Sequence, residues 1–194
     1  KNNYKIKKLS IESPVTFMCF DILYDDKDLI DLALIKRKNI LNKYQDNDIF
    51  IKSFYIEKEG NELFKKIAKL NLEGIVAKLK TSKYYINTRS NEWIKIKNYQ
   101  SDTFLIGGYK ENKSNYIITA LLGEYKNNEF FYVGSIILNK KNDLYNRIID
   151  CKQIKNPFKN YNEEAIYIEP VISIEVSYIE RTKTNTLREA FLKK

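Results

Sequence analysis

The segment Glu92-Trp93-Ile94-Lys95-Ile96-Lys97 alternates apolar and cationic residues. In a strand, residues two apart share a face, so Lys95 and Lys97 would project together about 7 Å apart. Two ammonium groups so placed repel unless water screens them or an anion sits between them, and a phosphate fits that gap. A half-exposed strand with a solvated lysine face explains the same pattern. In either reading Ile94 and Ile96 are expected to anchor the opposite face in the core. Glu73 precedes Gly74 at the head of the apolar run Ile75-Val76-Ala77. A carboxylate there, beside a glycine that permits close approach, suits Mg²⁺ or a ribose hydroxyl. An ordinary Glu-Gly turn into a core strand accounts for it equally. Between them lies the polar loop Ser82 to Ser90, with one guanidinium at Arg89 and, at Asn87, a residue that tolerates the left-handed conformation. From Glu73 to Lys97 six basic residues face two acidic ones. Upstream, Phe17-Met18-Cys19-Phe20-Asp21 ends an apolar run on an aromatic ring, which is core packing unless other groups make it a stacking platform.

The chain contains no histidine, which removes Ser-His-Asp and Cys-His catalysis, His-ligated zinc and histidine pH switching together. Chemistry must then rest on Lys, Arg, carboxylates, hydroxyls or a metal. Cys19 and Cys151 form no CxxC pair, so neither a zinc site nor a disulfide scaffold is suggested. Cys19 is expected as a small buried hydrophobe, and the cysteine usage fits a reducing cytoplasm. Of 194 residues, 43% are hydrophobic and 30% charged, a balance that supplies a core and excludes general disorder. The net charge of +9 falls mainly on the first 100 residues, which hold 20 Lys+Arg against 13 Asp+Glu. Such an excess favours polyanionic partners, although a Lys- and Asn-rich composition produces positive charge by itself. No apolar stretch suggests a membrane span or a signal peptide.

The elements that must position these residues follow from periodicity. Residues 15–24 read as a buried strand and 29–44 as a helix, with Lys36, Arg37, Lys38 and Lys43 between its apolar positions. A strand over 48–55, an amphipathic helix over 59–70 and strands over 73–79 and 92–99 complete the first half. Beyond Ser101 the texture changes to short strands at 103–109, 116–125 and 130–137, separated by polar turns at Glu111 to Ser114 and Lys126 to Asn128. A helix over 139–150 and a last strand over 171–179 follow. Short strands with one inserted helix suggest a Greek-key or OB-like barrel, with a boundary near residue 100.

Taken in order, FMCFDILY, EGIVAK and SKYYINTRSNEWIKIK closely resemble the later nucleotidyltransferase motifs of ATP-dependent DNA ligases, particularly the bacterial repair type. The resemblance continues through Asp102 to Tyr109, Ala120 to Gly123, Phe131 to Gly134 and the ending Thr186-Leu187-Arg188-Glu189-Ala190-Phe191, while Lys36-Arg37-Lys38 with Leu41 is similar to a basic helix of that family. It implies an α+β chain: the C-terminal part of an adenylation domain, built of ATP-grasp-like antiparallel sheets with helices, in residues 1–100, then a β-barrel OB-fold domain in 101–194. It implies that Phe20 stacks on adenine, that Glu73 helps to hold Mg²⁺, and that Lys95 and Lys97 contact the nucleotide phosphates. Arg89 would join the same basic wall, and Arg89 and Arg188 would meet DNA. The whole enzyme would seal nicks in duplex DNA through lysyl-adenylate and DNA-adenylate intermediates, with ATP as AMP donor, as a cytoplasmic monomer without a membrane anchor.

Departures from the pattern shape the expectation. The family's nucleophile is the Lys of a Lys-x-Asp-Gly motif. None of the six glycines here follows an Asp, and the upstream Arg-containing and Asp-Gly-Glu motifs are not found either. Asn87 stands where the family usually has Gly, and the basic motif expected at the OB terminus is incomplete at Lys193-Lys194. The chain begins with Lys rather than Met. Together these predict part of a ligase that does not adenylate itself. RNA ligases and capping nucleotidyltransferases share the Glu-Gly and Lys-x-Lys elements, but Gly107-Gly108-Tyr109 and Leu187-Arg188 favour a DNA ligase. A non-catalytic nucleic-acid-binding remnant of a ligase is the rival from another class.

Overall fold

A computed structural model describes residues 2–112 and 116–193. The turn expected at Glu111 to Ser114 falls partly outside them. The chain divides into two units, one of residues up to Leu70 with Gly74–Ile96, the other of Asn71–Glu73 with residues from Lys97 onward.

The first unit opens on a helix that the periodicity did not suggest, α1 (Asn3–Glu12), capped by the Asn2 side chain, which accepts from the Lys5 N–H at 3.2 Å. Two short strands follow, β1 (Phe17–Cys19) and β2 (Phe50–Lys52), paired in parallel. The expected buried strand over 15–24 is therefore only three residues long, and it is not buried: Phe17 is 66% exposed and Met18 59%. A sheet of two short strands offers no second layer against which both faces can pack. Cys19 is half-buried and its thiol donates to the Asp21 carbonyl at 3.0 Å.

Helix α2 (Leu34–Leu41) starts five residues later than its apolar spacing implied. The Leu34 and Ile35 amides donate to the Ser82 and Lys80 carbonyls, at 2.8 and 3.0 Å, so another segment of the unit supplies the partners at this end. Its buried stripe is Leu34, Arg37, Lys38 and Leu41, an i, i+3, i+4, i+7 face that includes two cations. Helix α3 (Gly60–Lys69) half-buries Leu63, Phe64, Ile67 and Ala68, while Leu70 lies beyond its end and is exposed. Strands β3 (Gly74–Lys78) and β4 (Trp93–Lys97) form a second two-stranded sheet. Ile94 and Ile96 do not anchor it in a core. They are 54% and 41% exposed, and the half-buried ends of β4 are Trp93 and Lys97. The large indole takes the sheltered position, and a two-stranded ribbon leaves the rest of the strand to solvent.

The second unit is built on one five-stranded antiparallel sheet in the order β11-β8-β5-β6-β7. Its members are β5 (Gln100–Glu111), β6 (Ile117–Lys126), β7 (Glu129–Asn139), β8 (Ile166–Tyr178) and β11 (Phe191–Leu192). Helix α4 (Asp143–Ile149) lies between β7 and β8 in sequence, with the Asn142 side chain capping the Leu144 N–H at 3.0 Å. The turn between β6 and β7 places Asn127 and Asn128 at φ of 50° and 63°, the left-handed pair that a tight hairpin demands.

One face of the sheet buries Phe104, Ile106, Ala120, Leu122, Ile136 and Val176 with Leu144 and Ile148 of α4. The sheet curls into a half-barrel. Its two edge strands, β7 and β11, pack against each other, and the short β10 (Leu187–Arg188) packs on β7 where Gly134 leaves room for the Leu187 side chain. Register shifts at Ile106/Gly108 and Leu122/Gly123 supply the bend. Gly107 and Gly123 then leave space for a smaller cluster, Leu121, Phe130 and Phe158: the Phe130 ring would collide with a Cβ at either glycine, and the Phe158 ring with one at Gly107. The structure thus bears out an α+β chain with a curled antiparallel sheet.

Candidate functional site

In the first unit the residues around Phe20 form a single constellation. Asp21 and Arg37 are joined in a buried fork, and the guanidinium also donates to the Leu32 carbonyl at 2.5 Å and the Ser82 carbonyl at 3.3 Å. This fixes the turn that follows β1, and with it the place of Phe20. The Phe20 ring stands edge-to-face with the Trp93 indole, centroids 6.4 Å apart, and remains 53% exposed. Trp93 is held in turn by Tyr84, edge-to-face at 5.7 Å, and by its Nε1–H, which donates to the buried Ser82 hydroxyl at 3.0 Å. Two shallow hollows flank this assembly and share Tyr84. One is bordered by Phe17, Cys19, Phe20 and Leu23, the other by Lys83, Thr88, Ser90 and Trp93.

Two lysines line the same region. Lys78 places its Nζ 4.2 Å from the centroid of Phe20 and 3.9 Å from that of Trp93. Burial pushes its ammonium down to about 8, against a partial counter-pull from Asp21 and in the same direction as repulsion from Lys38 and Arg37. Lys38 is buried with its Nζ 4.5 Å from the Tyr55 ring centre, and burial lowers its pKa too. Neither lysine stands out in the sequence, because Lys78 ends an apolar strand and Lys38 sits in a run of three basic residues. The signal for Lys38 was its spacing: 34, 37, 38 and 41 fall on one helical face.

The remaining expected residues divide between the units. Arg89 and Lys95 belong to the first and are exposed. Asn87 is left-handed, with φ of 53°, so Asn in place of Gly costs the loop little. Glu73, Lys97 and Arg188 belong to the second unit, where the structure joins them to partners. Arg188 bridges Glu73 at 2.8 Å and Glu180, in β9 (Glu180–Arg181), at 2.7 Å. Lys97 pairs with Glu189, which occupies the left-handed region at φ of 52°. The hydrogen bond that Lys97 donates to Glu189 raises the Lys97 pKa, and the one that Arg188 donates to Glu73 raises that of Arg188.

Among the described residues no group of three or more Cys, Asp or Glu side chains could cage a metal. The exposed carboxylate of Glu73 fits only the mode in which Mg²⁺ uses one or two carboxylates and takes its other ligands from substrate phosphates and water. No helix among the described residues is long and apolar enough to cross a membrane.

Residues 1–97 match the family described as "ATP dependent DNA ligase domain". The chain is 28% identical over 188 residues to the multifunctional non-homologous end joining protein LigD of Mycolicibacterium smegmatis, covering 90% of this chain and 25% of that protein. It is 34% identical over 109 residues to the SPbeta prophage-derived DNA ligase-like protein LigB of Bacillus subtilis, covering 54% of this chain and 40% of that protein. It therefore spans between a quarter and two fifths of these relatives' length. The fold resembles the solved structure reported as "DNA binding with a minimal scaffold: Structure-function analysis of Lig E DNA ligases", with a TM-score of 0.59 at 16% identity, covering all of this chain and 67% of that one. The chain belongs to the ATP-dependent DNA ligase domain family.

Proposed function

We propose that this chain is part of a DNA ligase that seals nicks in duplex DNA through lysyl-adenylate and DNA-adenylate intermediates, with ATP as AMP donor. Residues 1–100 would be part of the adenylation domain and 101–194 an OB-fold domain. The observation that carries the reading is the half-exposed Phe20 ring, rigidly backed by Trp93 and Lys78 inside the family-matched segment. An aromatic face held open at such cost in apolar exposure suits a stacked base. The strand order of the second unit, with one helix between its third and fourth long strands, supports the OB reading.

In this scheme Phe20 stacks the adenine, Lys95 and Lys97 take the nucleotide phosphates, and Arg89 and Arg188 contact phosphates of the DNA. Mg²⁺, when bound through Glu73, supplies charge neutralisation at the reacting phosphate. In the sealing step the DNA 3′-hydroxyl attacks the adenylated 5′-phosphate, the phosphodiester forms and AMP leaves. The lysines hold the negative charge that develops on the phosphate oxygens, which is electrostatic positioning and needs no histidine. A phosphate reaching Lys97 competes with Glu189 for the ammonium.

The test is sealing of a pre-adenylated nick by the ligase that contains this chain. Lys97→Ala is expected to slow sealing at least about tenfold, equivalent to ~1.4 kcal/mol of transition-state stabilisation. The thermal midpoint should hardly change, because the lysine is on a strand at the surface. Sealing by Lys97→Ala at the wild-type rate overturns the assignment.

A further inference from the structure

Among the described residues of the first unit, Lys78 is the one cation that faces two aromatic rings at once. The rings of Phe20 and Trp93 meet at 74°, and the ammonium sits in the corner between them, within 4.2 Å of both centroids. The surroundings do not account for it as an ion pair. Asp21, the acid that acts on it, is already taken by the Arg37 fork, and Lys38 and Arg37 repel it. These four side chains carry three positive charges and one negative, an excess that burial makes expensive and that an apolar residue at position 78 would relieve. What the ammonium does gain is the quadrupole attraction of both ring faces, worth most where water is excluded.

We propose that Lys78 is a positioning residue of the base-stacking wall: its protonated ammonium, wedged between Trp93 and one face of Phe20, holds the opposite face of the Phe20 ring towards a purine. This rests on the nucleotide reading of the site and deepens it. A cation behind the ring draws electron density away from the exposed face, which favours an electron-rich purine on that side. The stem of Lys78 belongs to β3 and Trp93 to β4, so the wedge also ties the ring to the sheet rather than to the turn that carries Phe20. Deprotonation removes the wedge without changing the packing volume. Base stacking should therefore weaken as the pH rises through about 8.

The experiment is AMP binding to the 194-residue chain, read by the emission of Trp93, its single tryptophan, from pH 7 to 9.5. The phosphate of AMP ionises around pH 6, below this window. Wild type is expected to lose affinity about fivefold across the range. Lys78→Met should bind about fivefold more weakly than wild type at pH 7 and show no dependence on pH, while Lys78→Arg should keep the wild-type pH 7 strength across the whole range. If Lys78→Met fails to fold, the wild-type and Lys78→Arg profiles decide alone: a titration in the first and a flat line in the second support the wedge, and two flat lines overturn it. Wild-type binding that is matched by Lys78→Met overturns the role of Lys78 and leaves the nucleotide reading standing. No AMP binding by the wild-type chain overturns both.

Discussion

Asp21 and Arg37 meet through both carboxylate oxygens, Nε to Oδ1 at 3.0 Å and Nη2 to Oδ2 at 2.9 Å, with side chains 4% and 0% exposed. Planar fork meets planar carboxylate, and Nη1 donates to two backbone carbonyls, so four of the five guanidinium donors are satisfied inside the protein. Removing one member strands the other. Asp21→Ala should destabilise the first unit by ~3–5 kcal/mol in denaturant unfolding followed by Trp93 emission. A replacement of both residues by apolar side chains of similar volume should cost less than the single change. A loss under about 1 kcal/mol for Asp21→Ala would contradict the buried pair.

In the second unit Arg181 makes the same fork with Glu124, both bonds at 2.9 Å, and the Asn185 amide adds a third at 3.2 Å. Burial pushes the Glu124 carboxyl up, but the hydrogen bonds from Arg181, Lys126 and Asn185 outweigh it and hold the group down near 2, against an ordinary 4.5. A carboxyl depressed in the folded state contributes stability above pH 4.5, and that contribution is lost as the pH falls towards 2. Thermal midpoints of Glu124→Gln should lie below wild type at pH 7 and converge with it on acidification. Parallel curves over that window would show that the pair contributes nothing to acid sensitivity.

A Cβ added to Gly123 would lie 2.4 Å from Phe130 Cζ, and one at Gly107 would lie 2.5 Å from Phe130 Cε1. Phe130 stacks on Phe158 with centroids 5.0 Å apart, so its ring has nowhere to retreat. Gly123→Ala is expected to cost ~1–3 kcal/mol by overpacking. Combining it with Phe130→Leu should give a double mutant less destabilised than the two single changes add up to. Simple additivity in chemical denaturation would mean that the two sites do not meet.

Glu189 holds Lys97 in an ion pair while Arg188 beside it holds Glu73 and Glu180. Glu189→Gln should release the Lys97 ammonium to an external phosphate. Binding of AMP at low salt should then tighten about two- to fivefold, and the gain should shrink as salt screens the freed charge. Unchanged affinity would place Lys97 away from the nucleotide phosphates.

The long strands of the second unit were legible because their apolar and polar residues alternate, and because the turns carry Asn at the left-handed positions. The structure lengthens them at their ends, where β5 begins at Gln100 and β8 at Ile166: Pro170 interrupts the alternation of β8, yet Ile166, Tyr167 and Ile168 ahead of it still pack on the sheet's two clusters. The first unit was harder. Its aromatic run at Phe17 to Phe20 has the composition of a core strand, yet the chain gives it only a three-residue partner. Alternation cannot distinguish a strand in a layered sheet from one in a bare ribbon.

By itself the sequence determined that histidine-dependent chemistry, Cys-His catalysis included, is excluded, that positive charge concentrates between Glu73 and Lys97, and that the ordered motifs have a ligase pattern. These follow from residue type and linear order, which do not depend on packing. Only the tertiary structure decided which partner each cation meets. Arg37 is buried against Asp21, Lys97 meets Glu189 and Arg188 meets Glu73 and Glu180 at more exposed positions, while Lys78 is wedged against Phe20 and Trp93. A charge acquires its role from the burial and the partner it meets in space, and residues 16 to 115 positions apart along this chain are brought within a few ångströms by folding alone.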